Sequence, residues 1–265
     1  MNLQATYPTS EHQAAAEAVT CFFSGNYPID AVLLVNSCAR GRATNDSCLD
    51  MNVLVRPERL KPLLPRIETD WEVFEKSDPA IQALKGAGKY AEVHLDFIDG
   101  VFVPQERDFT SGPDAFELGI GNALAYSLPL WLGGDYYAEL KAKWLPYYRE
   151  ELRTERLKMV RFYCLNNLHH IPIYIQRGLY FQCFDRLYNA HREFLQALFI
   201  AHRTYPIAYD KWIREQVVEI LGLPALYRQL AHLFEIRHFE SPEILEKARE
   251  VERLLEQYAP AHVWG

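Results

Sequence analysis

The chain has 265 residues, 49% of them apolar and 24% charged, with a formal charge of −7. That length buries one large core or two modest ones, and the acidic balance argues against a dedicated nucleic-acid surface, which needs a basic face. No apolar run approaches the roughly 20 residues that span a bilayer.

The N-terminal MNLQATYPTSEHQAAAEAV lacks the basic and apolar segments of a secretory signal. Five scattered cysteines without a Cys-x-x-Cys pair point to reduced thiols in a cytoplasm. In chain order, residues 9–24 read as a helix, with Thr9 or Ser10 as N-cap and Gly25-Asn26 as its stop. Residues 30–35 (DAVLLV) form a short apolar run, the mark of a strand covered on both faces. A small, turn-prone, basic loop at 36–47 follows, then a strand at 48–55 ended by Pro57. Residues 57–77 read as a broken helical stretch, and KYAEVHLDFIDGVFV (89–103) alternates as a half-buried strand.

From about residue 136 the pattern turns to long helices, at 136–169, 173–203, 209–221, 224–236 and 242–258. Pro172, Tyr205-Pro206, Gly222 with Pro224, and Ser241-Pro242 mark the breaks. In the helix around 174–203, Phe181, Phe184, Tyr188, Leu195 and Phe199 are expected to face inward. The fold class is α+β: a mixed sheet flanked by helices over 1–118, then an all-α bundle over 119–265.

Chemistry concentrates in the first of these. Small residues let backbone N–H groups approach an anion, and Ser37-Cys38-Ala39-Arg40-Gly41 adds a positive charge. Residues 36–52 as a whole resemble the signature of the nucleotidyltransferase superfamily related to DNA polymerase beta. That signature reads Gly-Ser-x-Ala-Arg-Gly-x-Ala, a short turn, then Ser-Asp-Ile-Asp. Here the frame is Asn36-Ser37-Cys38-Ala39-Arg40-Gly41-Arg42-Ala43, Thr44-Asn45-Asp46, then Ser47-Cys48-Leu49-Asp50, with the spacing kept.

The resemblance implies a site in which Asn36, Ser37, Arg40 and Ser47 hold the phosphates of a nucleoside triphosphate such as ATP. It implies that Asp50 ligates Mg²⁺ and that a neighbouring strand adds an acid. Alternation puts Glu92, His94 and Asp96 on one strand face, and Glu92, then Asp96, is the expected third acid, as metal ligand or general base. In the small-molecule branch of the family, which includes aminoglycoside and lincosamide nucleotidyltransferases, a helical C-terminal domain forms the acceptor side of the cleft. Tyr209-Asp210-Lys211-Trp212 resembles a Lys-Trp motif of such domains, which makes Lys211 a further phosphate-meeting cation.

Two positions depart from the pattern. Asn36 replaces the usual Gly, a mild change because Asn tolerates unusual backbone angles. Cys48 replaces the first Asp, and a thiol prefers soft ions. Sliding the frame to pair Asp50 with Asn52 still yields one carboxylate and one amide. A single Mg²⁺ held by Asp50, by Glu92 or Asp96, and by the triphosphate is what the sequence leaves.

The implied activity is transfer of a nucleoside monophosphate, AMP first, to a small hydroxylated acceptor. The alternative is a catalytically decayed fold that binds nucleotide or regulates. Pairing with a helical toxin–antitoxin partner is a weaker third reading, and homodimerisation is left open.

Overall fold

The computed structural model describes residues 4–106 and 108–261, and these divide into two compact units. The first runs to residue 102 and resumes for 119–145; the second takes 103–118 and 146 onward. The chain therefore changes unit after Phe102, Leu118 and Leu145, where the sequence suggests a single boundary at 118/119. No described helix is long and apolar enough to cross a membrane.

In the first unit, α1 (Ser10–Asn26) starts where the Thr9 hydroxyl accepts from the His12 backbone N–H at 3.4 Å. β1 (Ala31–Leu34) follows, then one short helical turn, α2 (Asn36–Ala39), inside the stretch read as loop. After β2 (Leu49–Leu54), α3 (Pro57–Ser77) runs unbroken through Pro62 and Pro65. Both prolines lie on its exposed side, where water can satisfy the carbonyls they leave open. Asp78 caps α4 (Pro79–Leu84), accepting from the Ala80 and Ile81 N–H groups, and β3 (Val93–Ile98) completes this part.

α5 (Phe116–Ile120) leads through a π-helical turn (Gly121–Ala125) into β4 (Leu128–Leu132) and α6 (Tyr136–Trp144). β4 is absent from the sequence reading because Pro129 and a five-residue length mask its periodicity.

The strands of this unit form one mixed sheet in the order β3-β2-β1-β4. β1 is antiparallel to both neighbours, and β2 runs parallel to β3 with Leu49 opposite Val93, Asp50 opposite His94 and Asn52 opposite Asp96. Every β1 residue is buried, as its unbroken apolar run requires. Ala15, Val19 and Phe23 of α1 join Val32, Leu34, Met51 and Val53 in one core. Asp30, buried at the foot of β1, accepts from Arg59 Nη2 at 2.6 Å and from the Arg56 N–H at 2.7 Å. That pairing ties the start of α3 to the sheet.

The second unit is helical. The helix expected over 136–169 is split by Pro146, which supplies no N–H, so α6 ends and α7 (Glu150–Gln176) begins anew. α7 instead runs through Pro172, where a proline near the last turns removes a single ladder bond. A three-residue turn with Gly178 at φ +67° leads to α8 (Tyr180–Ala201). α9 (Pro224–His232) and α10 (Glu243–Tyr258) follow, and α10 packs on α7 and α8.

The segment expected as a helix over 209–221 becomes helical only from 213. Trp212 stands at φ +60°, and the buried Gln216 amide takes the N–H of Ile207 at 2.7 Å while donating to the Ala208 carbonyl at 2.8 Å. The helix expected to reach 236 ends at His232. Leu195 and Phe199 are buried as expected, whereas Phe181 is 80% and Tyr188 36% exposed.

Charge is also buried in this unit. Arg156 spans two acids, with Nη1 and Nη2 on the Asp114 oxygens at 2.7 and 2.6 Å and Nε and Nη2 on those of Glu117 at 2.9 and 2.7 Å. Gln196 Nε2 donates to both acids, and the Tyr148 hydroxyl donates to Glu117 Oε1 at 2.8 Å. Both carboxylates are fully buried. Complete hydrogen bonding of this kind is what lets buried charge persist, and it holds residues 103–118 to the helical unit.

Candidate functional site

The first unit presents its chemistry around the N-terminal ends of β2 and β3. Asn36 leaves β1 at φ +54°, in the left-handed region that Asn enters more readily than most residues. The loop then folds on itself: the Ser37 carbonyl accepts from the Arg42 N–H at 2.9 Å, and the Ser47 hydroxyl accepts from the Thr44 N–H at 2.9 Å. Ser37 and Arg40 are buried.

The far side of the loop rests on the turn before β3. Asp46 accepts from the Lys89 N–H at 2.8 Å, and a Cβ at Gly88 would come to 2.1 Å from the Asn45 carbonyl oxygen. Only glycine allows that approach. His12, buried in α1, donates Nε2–H to the Ser47 carbonyl at 2.9 Å, while its Nδ1 meets the Thr9 hydroxyl at 2.9 Å. Nε2 faces a carbonyl and must carry the proton, which leaves Nδ1 to accept. His12 escaped the sequence reading because its partner lies 35 residues away.

Asp50 sits one residue into β2 with its side chain 13% exposed. The Cys48 thiol donates to its two oxygens at 3.3 and 3.2 Å. From β3, His94 Nδ1 lies 3.3 Å from Asp50 Oδ1, and its Nε2 lies 3.1 Å from Glu92 Oε1. Hydrogen bonding to Glu92 raises the His94 pKa above its ordinary value; partial burial opposes the shift and the Asp50 charge adds to it. Cys38, beneath the loop, is pushed up to about 12, first by burial and then by the Asp50 charge.

The expected residues therefore separate. Asn36, Ser37, Arg40, Ser47, Asp50, Glu92 and Asp96 all belong to the sheet unit, whereas Lys211 is an exposed residue of the helical unit whose carbonyl accepts from Gln216 Nε2 at 3.0 Å. Among the described residues, the metal-ligating group that comes together is Cys48, Asp50 and His94, with donor atoms all within 4.8 Å of one another. Glu92 and Asp96 stand outside it: Glu92 engages His94, and Asp96 is exposed opposite Asn52. His94 carried a sequence signal, since it shares a strand face with Glu92 and Asp96. Its pairing with Asp50 comes from the parallel register of β2 and β3.

The donor set is one thiol, one carboxylate and one imidazole. Mg²⁺ selects oxygen donors in an octahedral shell, so this trio by itself does not suit it. Comparison with protein-family models and with curated proteins finds no match to this chain.

Proposed function

We propose that the sheet unit is a nucleotidyltransferase-like domain that binds a nucleoside triphosphate, ATP first, over the 36–47 loop. In this reading it transfers the nucleoside monophosphate to a small hydroxylated acceptor. The supporting observation is the pairing of that loop with the strand it feeds. Asn36 takes the left-handed turn that the family's glycine would take, and Asp50 emerges partly exposed beside the polar row of β3.

Ser37 and Arg40 are assigned to the phosphates. Ser47 shapes the turn, because its hydroxyl already accepts from Thr44. Asp96, exposed on the same sheet face, is the candidate base for the acceptor hydroxyl. A Mg²⁺ arriving with the nucleotide would neutralise phosphate charge, with Asp50 as the carboxylate offered to it.

A second reading, nucleotide binding without turnover, is favoured by one specific feature. Cys48 stands where the family has its first acid, and its thiol hydrogen-bonds to Asp50.

Thermal melting with Mg²⁺ and ATP tests the common premise. The expected result is a rise in Tm that Asp50→Ala abolishes, since a ligand bound only to the folded state stabilises it. No shift with any nucleoside triphosphate would overturn both readings. Pyrophosphate release across a panel of hydroxylated acceptors then separates them. Turnover by the natural chain that is lost in Asp50→Ala establishes the transferase. Turnover that emerges only in Cys48→Asp establishes the binding protein.

A further inference from the structure

The structure assigns to Cys48, Asp50 and His94 a binding site for a borderline divalent cation of the Zn²⁺ class, independent of nucleotide.

Four observations carry it. The first is chemistry: thiolate, imidazole and carboxylate are the side-chain donors that zinc accepts, and zinc sites with three protein ligands keep a fourth position open. The second is spacing. Metal–donor bonds of about 2.0–2.3 Å at tetrahedral angles place neighbouring donors roughly 3.3–3.7 Å apart. Cys48 Sγ and His94 Nδ1 each lie 3.3 Å from the same oxygen, Asp50 Oδ1. The three donor atoms lie within 4.8 Å of one another, so an ion would draw Cys48 and His94 together around the shared Asp50 oxygen.

The third observation is the outer partner. A ligating histidine usually donates its other ring N–H to a carboxylate, which fixes the tautomer and strengthens the ligand. His94 Nε2 already faces Glu92 Oε1 at 3.1 Å while Nδ1 faces the cluster. Glu92 thereby becomes a positioning residue for His94 rather than a ligand.

The fourth is backbone support. The Leu49 N–H, between Cys48 and Asp50, donates to the Glu92 carbonyl at 2.8 Å, and Asp50 pairs directly with His94. The ligands thus sit on, or immediately beside, two hydrogen-bonded strands, which hold a ligand set more tightly than a free loop does.

Binding releases to water the Cys48 thiol proton and, from a charged His94, the Nδ1 proton, so the metal faces a thiolate, a carboxylate and a neutral imidazole that keeps its Nε2–H toward Glu92. The fourth position falls to water or to an oxygen of a phosphorylated ligand. The exchange of an acid for Cys48 then changes which metal is held instead of simply removing a ligand.

Co²⁺ is the probe, because a thiolate–Co²⁺ bond gives a near-ultraviolet charge-transfer band that oxygen and nitrogen ligands do not. The full-length chain, stripped with a chelator, is titrated with Co²⁺ and back-titrated with Zn²⁺ and Mg²⁺ in the absence of nucleotide. The expected result is one equivalent of Co²⁺ with the thiolate band, displaced by Zn²⁺ and not by Mg²⁺.

Cys48→Ser loses the band, whereas Cys21→Ser, at an exposed cysteine on α1, keeps it. Glu92→Gln keeps the band but weakens Co²⁺ binding by roughly 10–100-fold, a split that a purely structural role would not produce. Circular dichroism of each variant reports whether it folds.

No thiolate band from the natural chain, a band that survives Cys48→Ser, or displacement by Mg²⁺ at equal concentration would overturn the assignment. Because nucleotide is absent throughout, failure here is distinguishable from failure of the nucleotide reading.

Discussion

Two charged clusters, one in each unit, handle charge in opposite ways. Around Arg156 the helical unit closes a network in which Asp114, Glu117, Gln196 and Tyr148 satisfy one another away from solvent. Around Asp50 the sheet unit gathers a thiol, a carboxylate and an imidazole on partly exposed strand ends, with His94 and Glu92 each 56% exposed. A closed, satisfied network is a structural device. An open cluster of converging donors retains capacity for a ligand, and the contrast is a physical guide to where function lies.

The largest expected effect strikes the closed network. Arg156→Ala leaves two buried carboxylates without their cation and is expected to cost about 3–5 kcal/mol, measured by urea unfolding followed by far-ultraviolet circular dichroism. A loss under about 1 kcal/mol would mean that water or protonation replaces the guanidinium, and the distinction between the units would weaken.

Next comes Gly88→Ala. A Cβ at 2.1 Å from the Asn45 carbonyl must push the loop away, at a cost of about 1–3 kcal/mol. Any nucleotide-dependent rise in Tm should shrink with it, which calorimetry of the variant with and without ATP would show.

A third test concerns a buried histidine of the helical unit. His191 on α8 is buried beside Phe234, and burial, with the Arg192 charge adding, lowers its pKa from 6.5 to about 4. The unfolded chain therefore binds the extra proton between those values. Stability contributed by neutral His191 is present above pH 6.5 and is lost as pH falls toward 4, at up to about 1.4 kcal/mol per pH unit. His191→Leu should flatten that limb in urea titrations run across the range. An unchanged pH profile would show that His191 does not limit stability there.

The smallest expected effect is Asp50→Ala without ligand. Stability should change by less than about 0.5 kcal/mol, as for a partly exposed residue outside the core. A loss of several kcal/mol would make the Asp50 cluster as structural as the Arg156 network and remove the contrast.

Much of the fold was legible. The apolar run at 31–34 and the alternation across 93–98 are local periodicities, and so is the Thr9 cap, because each depends on neighbours a few residues away. β4 was hidden by its shortness and by Pro129. The unit boundaries were hidden because the segment 103–118 is claimed by Arg156 and Gln196 on distant helices.

In the site, the frame from Asn36 to Asp50 was readable because it is contiguous. The sequence by itself determined the small-residue loop between two strands and the placing of Cys48 two residues before Asp50. Tertiary structure alone decided that β2 and β3 run parallel with Asp50 against His94, which gathers thiol, carboxylate and imidazole and leaves Glu92 behind the histidine. Strand register depends on which faces can be buried together across the whole sheet, and no stretch of residues carries that information alone.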